Sequence, residues 1–445
     1  MAVPYASHFL PLLTQQTVMK KILFLLFLPS IVFAQKKALK VINIKETERI
    51  ERVLSSDEME GRRTFSAGIE KAGAFIASEF EKIGLQKWNN GSSYLQSFAM
   101  IKAKPVSQKA VIGGVELDAK KFMILSAKSS LSVNEKSGYQ IIQIAKGANF
   151  QVEARKALTS KNNSVVVVDP SFEPMLARYG GMRSQMFSSQ SNIIMIVGTE
   201  VPASFSIELT QELTEMPLAN VVGVIPGKSK PNEYVIFSGH YDHLGINSKR
   251  MVGTDSIYNG ANDDAAGTTA MIMLAKYYKK LNNNERTLVF AAFTAEEVGG
   301  FGAQYFSRQF DPAQVMAMFN IEMIGTESKW GKNSAYITGY EKTDMGAILQ
   351  KNLNNTGFEF HPDPYTDQNL FYRSDNATLA RLGVPAHTIS TSKMDSEPNY
   401  HKASDEISTL DMENMTAIIR AIALSAKGIV AGIDTPSRVD TSSLR

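Results

Sequence analysis

Residues 234–267 read YVIFSGHYDHLGINSKRMVGTDSIYNGANDDAAG, and this stretch decides the fold. It opens on an apolar run, Tyr234-Val235-Ile236-Phe237, the pattern of a strand buried in a largely parallel sheet. The run ends at Ser238-Gly239, and His240, Asp242 and His243 follow at once. After a loop comes Gly260-Ala261-Asn262-Asp263-Asp264-Ala265-Ala266-Gly267, and the spacing beyond it predicts a helix from Thr268 to about Leu281. Open α/β sheets bind ligands outside the carboxyl ends of their strands. His240 and Asp263 therefore stand where such a fold places its site, and imidazole with carboxylate is a metal-ligand pairing.

Working outward, the same alternation recurs. Leu218–Ile225 is a strand closed by Pro226-Gly227, and Thr287–Phe293 is a buried strand that runs straight into Thr294-Ala295-Glu296-Glu297. Met316–Ile321 leads into Glu322, and Val384–Ser390 is followed by Tyr400-His401. Helices are expected around 345–354 and 412–431. On the N-terminal side, Ile69, Ala72, Ile76, Phe80 and Ile83 recur at helical spacing before a Gly84 stop. The preceding Glu58–Arg63 reads as a solvated polar turn. The expected class is α/β, a three-layer α/β/α arrangement with a mixed twisted sheet.

Residues 106–212 differ in texture. Short β-like runs alternate with polar loops, without His or clustered carboxylates, as in an inserted smaller α+β module without chemistry of its own. The expected division is 1–34 as extension and export signal, 35–105 and 213–434 as the main domain, 106–212 as the insert and 435–445 as a polar tail. The signal proper is 19–34. Basic Lys20-Lys21 precedes an apolar run, Ile22–Phe33, that ends Val32-Phe33-Ala34. That run is shorter than the ~20 residues of a spanning helix, so stable membrane insertion after cleavage is not expected.

Composition narrows the chemistry. The 445 residues carry 47 basic and 44 acidic side chains, a balance that gives no reason to expect a nucleic-acid partner. There is no cysteine, so disulfides, thiolate metal sites and a Cys nucleophile are excluded. A transition metal would have to use carboxylates and some of the six His: His8, His240, His243, His361, His387 and His401.

Each polar group is weak evidence alone. A His at a strand end is usually a hydrogen-bonding residue, a Glu pair a solvated face, and Asn-Asp-Asp before a helix a cap. The sum is different: strand–helix junctions of one domain together supply His240, Asp263, Glu296, Glu297, Glu322 and His401. Those types suit two Zn2+ ions ~3.5–4 Å apart, with one short carboxylate between them. Asp242 is placed to accept the His240 N–H and fix its tautomer. His243, His361 and His387 read as structural or surface residues. In the loop 363–375, Phe371, Tyr372, Arg373 and Asp375 either line a substrate pocket or pack the loop.

The motifs Gly239-His240-Tyr241-Asp242, Gly260-Ala261-Asn262-Asp263-Asp264, Ala295-Glu296-Glu297, Asn320-Ile321-Glu322-Met323 and Tyr400-His401 resemble those of the M28 zinc aminopeptidases, in the family's order. The resemblance covers 213–434 and the helical segment before the insert. It implies that His240 binds one zinc and His401 the other, that Asp263 bridges them, and that Glu297 and Glu322 complete the two sites. It further implies Glu296 as general base and Tyr400 as the group that steadies the oxyanion. Many relatives have Asp where this chain has Glu322. The insert resembles a protease-associated domain. The expectation is a secreted or periplasmic di-zinc aminopeptidase acting on peptides. Glutaminyl cyclase, carboxypeptidase and non-catalytic receptor-like relatives of the same fold are the alternatives.

Overall fold

The computed structural model describes residues 35–182 and 185–444; the expected export signal at 19–34 lies outside them. The described residues form two compact units, one of 35–96 together with 220–442, the other of 97–219 with 443–444.

The first unit holds every predicted site residue. The strands that frame the site are β1 (Phe205–Ile225, of which the last residues belong here), β2 (Lys230–His240), β3 (Arg286–Phe293), β4 (Val315–Ile321), β5 (Ser334–Ile337), β6 (Glu359–Pro362) and β7 (Ala386–Ser390). They stand side by side as β6-β5-β7-β4-β2-β3-β1. β7, β4, β2 and β3 run parallel, β1 is antiparallel to β3, and β5 is antiparallel to β7, so the sheet is mixed. β2 and β3 are buried at nearly every inner position because helices cover both faces.

Residue parity assigns those helices. Val235, Phe237, Leu288, Phe290, Ala317, Phe319 and Ile389 share one apolar cluster with α1 (Ile44–Leu54), α2 (Ala67–Ile83), α3 (Ala266–Leu281), α5 (Met345–Asn352) and α7 (Met412–Ser425). The alternate residues point the other way. Phe293 meets Phe306 of α4 (Phe301–Ser307), and Thr388 bonds Asn376 of α6 (Asn376–Ala380). At the centre of the larger cluster Phe237 stacks on Phe290 and Phe319, its directly opposed partners in β3 and β4, with ring centroids 5.6 and 4.9 Å apart. Such aromatic pairs add ~0.5–1.5 kcal/mol each beyond the area they bury.

This topology positions the site. The chain leaves β2 through α3 to β3 on one side, then passes through α4 to β4 on the other side. The winding reverses at β2, and the crevice outside the carboxyl end of the strand at a reversal is where doubly wound sheets bind ligands. His240 is the last residue of β2.

The second unit has its own four-stranded sheet, in the order Phe122–Leu125, Ile193–Val197, Ser164–Val168, Gln140–Ile144. One apolar cluster gathers Phe150, Val166, Ile193 and Met195; another gathers Phe122, Val165, Ile194 and Ile207. Among the described residues, no helix is long and apolar enough to cross a membrane.

Candidate metal centre

Five chain segments meet at the carboxyl ends of the parallel strands. β2 delivers His240, and the turn after it carries His243. A wide turn at Ala261–Ala265 precedes α3 and carries Asp263 and Asp264, which are joined by a cis peptide bond. β3 runs into Glu296 and Glu297, β4 into Glu322, and the loop after β7 brings Tyr400 and His401. Gly267 lets the start of α3 approach, since a Cβ there would sit 2.0 Å from the carbonyl oxygen of Ile321.

Asp263 is the centre of the arrangement. Its Oδ1 lies 3.2 Å from His240 Nε2 and its Oδ2 lies 3.2 Å from His401 Nε2. His401 Nε2 is also 3.3 Å from Glu297 Oε2. One carboxylate thus faces two separate imidazoles, as a bridging ligand does. Two ligand groups share it: His240, Asp263 and Glu322 form one, His243, Asp263 and Glu297 the other, each with ligand atoms within 4.8 Å of one another.

A second set of groups fixes the backbone beneath these side chains. Asp264 accepts from the amides of His240, Gly267 and Met323, tying three segments together. Asp405 accepts from the amides of Asn262 and Asp263 at 2.8 and 3.0 Å. Asp242 accepts from the amides of Glu296 and Glu297 and from the Thr64 hydroxyl. Arg62, fully buried, donates to the carbonyls of Tyr241, Leu54, Asn259 and Gly260. Ala295, Met323 and His401 hold φ of 59, 52 and 56°. Non-glycine residues in that region cost of order 1–3 kcal/mol each, and such strain clusters at functional sites.

The electrostatics shift the buried carboxylates in opposite directions. Burial pushes Glu296 well above the usual carboxylate range, reinforced by Glu322, Asp375 and Glu297 and opposed by His240. Burial also raises Glu322, to about 7. Burial works against the charge on Glu297 as well, but the adjacent His243 and His401 outweigh it and bring the group down to about 2. Asp263 is likewise held well below its ordinary range, its burial overcome by His240 and His401. Glu296 and Glu322, both raised by burial, thus stand beside two carboxylates, Asp263 and Glu297, held ionised by the imidazoles.

The residues present fit a metal. His240 Nε2, both ring nitrogens of His243, Glu297 Oε1 and Glu322 Oε2 are buried without a hydrogen-bond partner. His243 Nδ1 lies 2.8 Å from Glu297 Oε1, yet the two make no directed hydrogen bond. Donor atoms this close, buried and unpaired with one another, are what the ligands of an ion look like before it binds. Unsatisfied buried polar groups otherwise cost roughly 1–3 kcal/mol each.

All eight residues expected at the site are brought together there, with three corrections to their surroundings. The His240 N–H is taken by the Asp242 carbonyl, with His240 Nδ1 and that oxygen 3.1 Å apart, whereas the Asp242 carboxylate is 3.7 Å away. The two oxygens of this carboxylate are instead turned to the amides of Glu296 and Glu297. A carbonyl can only accept, so the proton sits on Nδ1 and Nε2 faces Asp263 with its lone pair. His243, expected to be structural or on the surface, is buried inside the site. The signal that could have found it is His-x-Asp-His directly after a buried strand. The turn at 58–63 is not a solvated loop either, because Arg62 is wholly buried. His387 is buried away from the cluster between Thr343 and Thr338, and His361 stacks on Trp330. Arg373 and Tyr400 line the cleft beside the carboxylates, whereas Phe371 packs against His387.

Residues 220–426 match peptidase family M28. Among curated proteins, a probable leucine aminopeptidase of Trichophyton verrucosum is 28% identical over 205 residues, 44% of this chain and 53% of the relative. A probable zinc metalloprotease of Pyrenophora teres f. teres is 34% identical over 110 residues, 24% of this chain and 23% of the relative. The chain thus spans about half the length of the first of these relatives and less of the second. Among solved structures, an aminopeptidase from Aneurinibacillus sp. strain AM-1 superposes with a TM-score of 0.54 at 16% identity, covering 92% of this chain and 98% of that one. A zinc aminopeptidase from Bacillus subtilis gives 0.52 at 16% identity, covering 89% and 98%. At these identities the structural likeness speaks for the fold.

Proposed function

The chain carries a domain of peptidase family M28 over residues 220–426, and from that premise we propose that it is an exported di-zinc aminopeptidase. The observation that carries this reading is the pair of buried donor clusters that share Asp263, in which His240 Nε2, both His243 nitrogens, Glu297 Oε1 and Glu322 Oε2 have no hydrogen-bond partner. His240, Asp263 and Glu322 would hold one ion; His401, Asp263 and Glu297 would hold the other. Zinc bound there lowers the pKa of water toward ~7 and polarises a carbonyl.

The chain's own residues supply the rest. Glu296, kept easy to protonate by burial, takes the proton of the attacking water and delivers it to the departing amine nitrogen. The Tyr400 phenol, whose pKa is raised by burial and nearby carboxylates, remains a hydrogen-bond donor for the developing oxyanion. The acidic floor of the cleft suits a free α-amine, which confines cleavage to the N-terminal residue of a peptide. Export to the periplasm or the medium is supported by the composition of residues 19–34.

The test is elemental analysis of the protein begun at Gln35, together with an aminoacyl-anilide assay on the wild type and Glu296→Gln. About two zincs per chain are expected, with kcat in the variant lower by roughly 10²–10⁴-fold and its metal retained. One zinc per chain, no anilide cleavage, and cyclisation of an N-terminal Gln peptide would instead identify a glutaminyl cyclase.

A further inference from the structure

We propose that His243 is a fourth protein ligand of the second metal position, so that the two positions hold their ions unequally. The inference rests on the two-metal reading above. Both nitrogens of His243 are buried and without a hydrogen-bond partner. The ring is confined: a Cβ on the neighbouring Gly260, whose φ is +55°, would lie 2.5 Å from it. His243 Nδ1 is 2.8 Å from Glu297 Oε1 and 3.9 Å from Asp263 Oδ2. His401 Nε2 is 3.2 and 3.3 Å from oxygens of the same two carboxylates. A tetrahedral zinc site with bonds of ~2.0–2.1 Å has ligand–ligand edges of roughly 3.3 Å. The observed spacings bracket that value, and the two imidazoles approach from different directions, with ring planes at 68°.

The first position has three protein ligands, His240, Asp263 and Glu322, and Glu296 stands near it. Three ligands leave a place for water, the arrangement of a catalytic zinc. Four ligands close the second position, the arrangement of a structural zinc. The second ion is therefore the tightly held one and the first exchanges.

Two measurements on the full protein decide this. X-ray absorption on the wild type loaded with a single equivalent of zinc is expected to show two imidazoles on the ion; one imidazole would overturn the proposal without any variant having to fold. Competition with a chromophoric chelator is expected to give two wild-type affinities at least tenfold apart. His243→Gln should weaken the tighter site by more than the roughly 10–100-fold that follows loss of an outer partner. It should leave the other site within about threefold. If the wild type binds two zincs and His243→Gln keeps both affinities, His243 is not a ligand and the two-metal reading stands. If the wild type binds only one, the two-metal reading itself fails.

Discussion

Asp242 grips two adjacent amides, those of Glu296 and Glu297, with one carboxylate, and also receives the Thr64 hydroxyl. It sets the backbone from which a base and a metal ligand diverge, and its carbonyl fixes the tautomer of His240. Replacement by Asn puts an N–H₂ where only acceptors are useful. Asp242→Asn should lower kcat by roughly 10–100-fold while zinc remains near two per chain, read by parallel kinetics and elemental analysis. Retained activity would show that the two amides need no such anchor. At this scale the sequence was informative where chemistry is local. His240, Glu296, Glu297 and Glu322 directly follow apolar strands, so strand reading alone put them at one end of the sheet. Thr64 and Arg62 were illegible because their partners lie about 180–200 residues away. The burial of His243 beside the cluster was not legible, because a position in a turn leaves no periodicity.

Elements were legible where burial imposes a continuous apolar run. β2, β3 and β4 are hydrophobic on both faces because helices cover both, and their limits follow from where the run stops. The wide turn at Ala261–Ala265 had no such signature, since Asn-Asp-Asp ahead of a helix also reads as an ordinary cap. β7 carries a test of its own. His387 is held neutral between the Thr343 hydroxyl and the Thr338 carbonyl, and burial lowers its pKa to about 4. The folded chain thus binds fewer protons than the unfolded one, whose His titrates near 6.5. The associated stability is complete above about pH 6.5 and is lost as pH falls toward 4, about 3 kcal/mol in all. Urea unfolding of the metal-free protein at pH 7.5 and 4.5 should show a loss that is 2–3 kcal/mol smaller in His387→Gln. Equal losses would mean that His387 is protonated without penalty.

At the scale of the whole chain there are two compact units, each with apolar clusters of its own. The Gln96 and Asn220 side chains are hydrogen-bonded at 2.9 Å, so the two ends of the first unit already lie together. Residues 97–219 bury apolar clusters on both faces of their own sheet. Joining 96 to 220 through a few Gly and Ser residues should give a chain that still binds about two zincs, and 97–219 alone should unfold cooperatively. A short-linked chain that precipitates or binds no zinc would show that the units depend on one another.

Arg62 has one further consequence at this scale. Its guanidinium lies beneath the carboxylates with no surface exposed, bonded to backbone oxygens rather than to an acid. It is a counter-ion that dissolved salt can neither screen nor exchange. An ionic-strength series on substrate binding would therefore register the cleft's rim, where Arg373 is exposed, and stay blind to the positive charge set into its foundation.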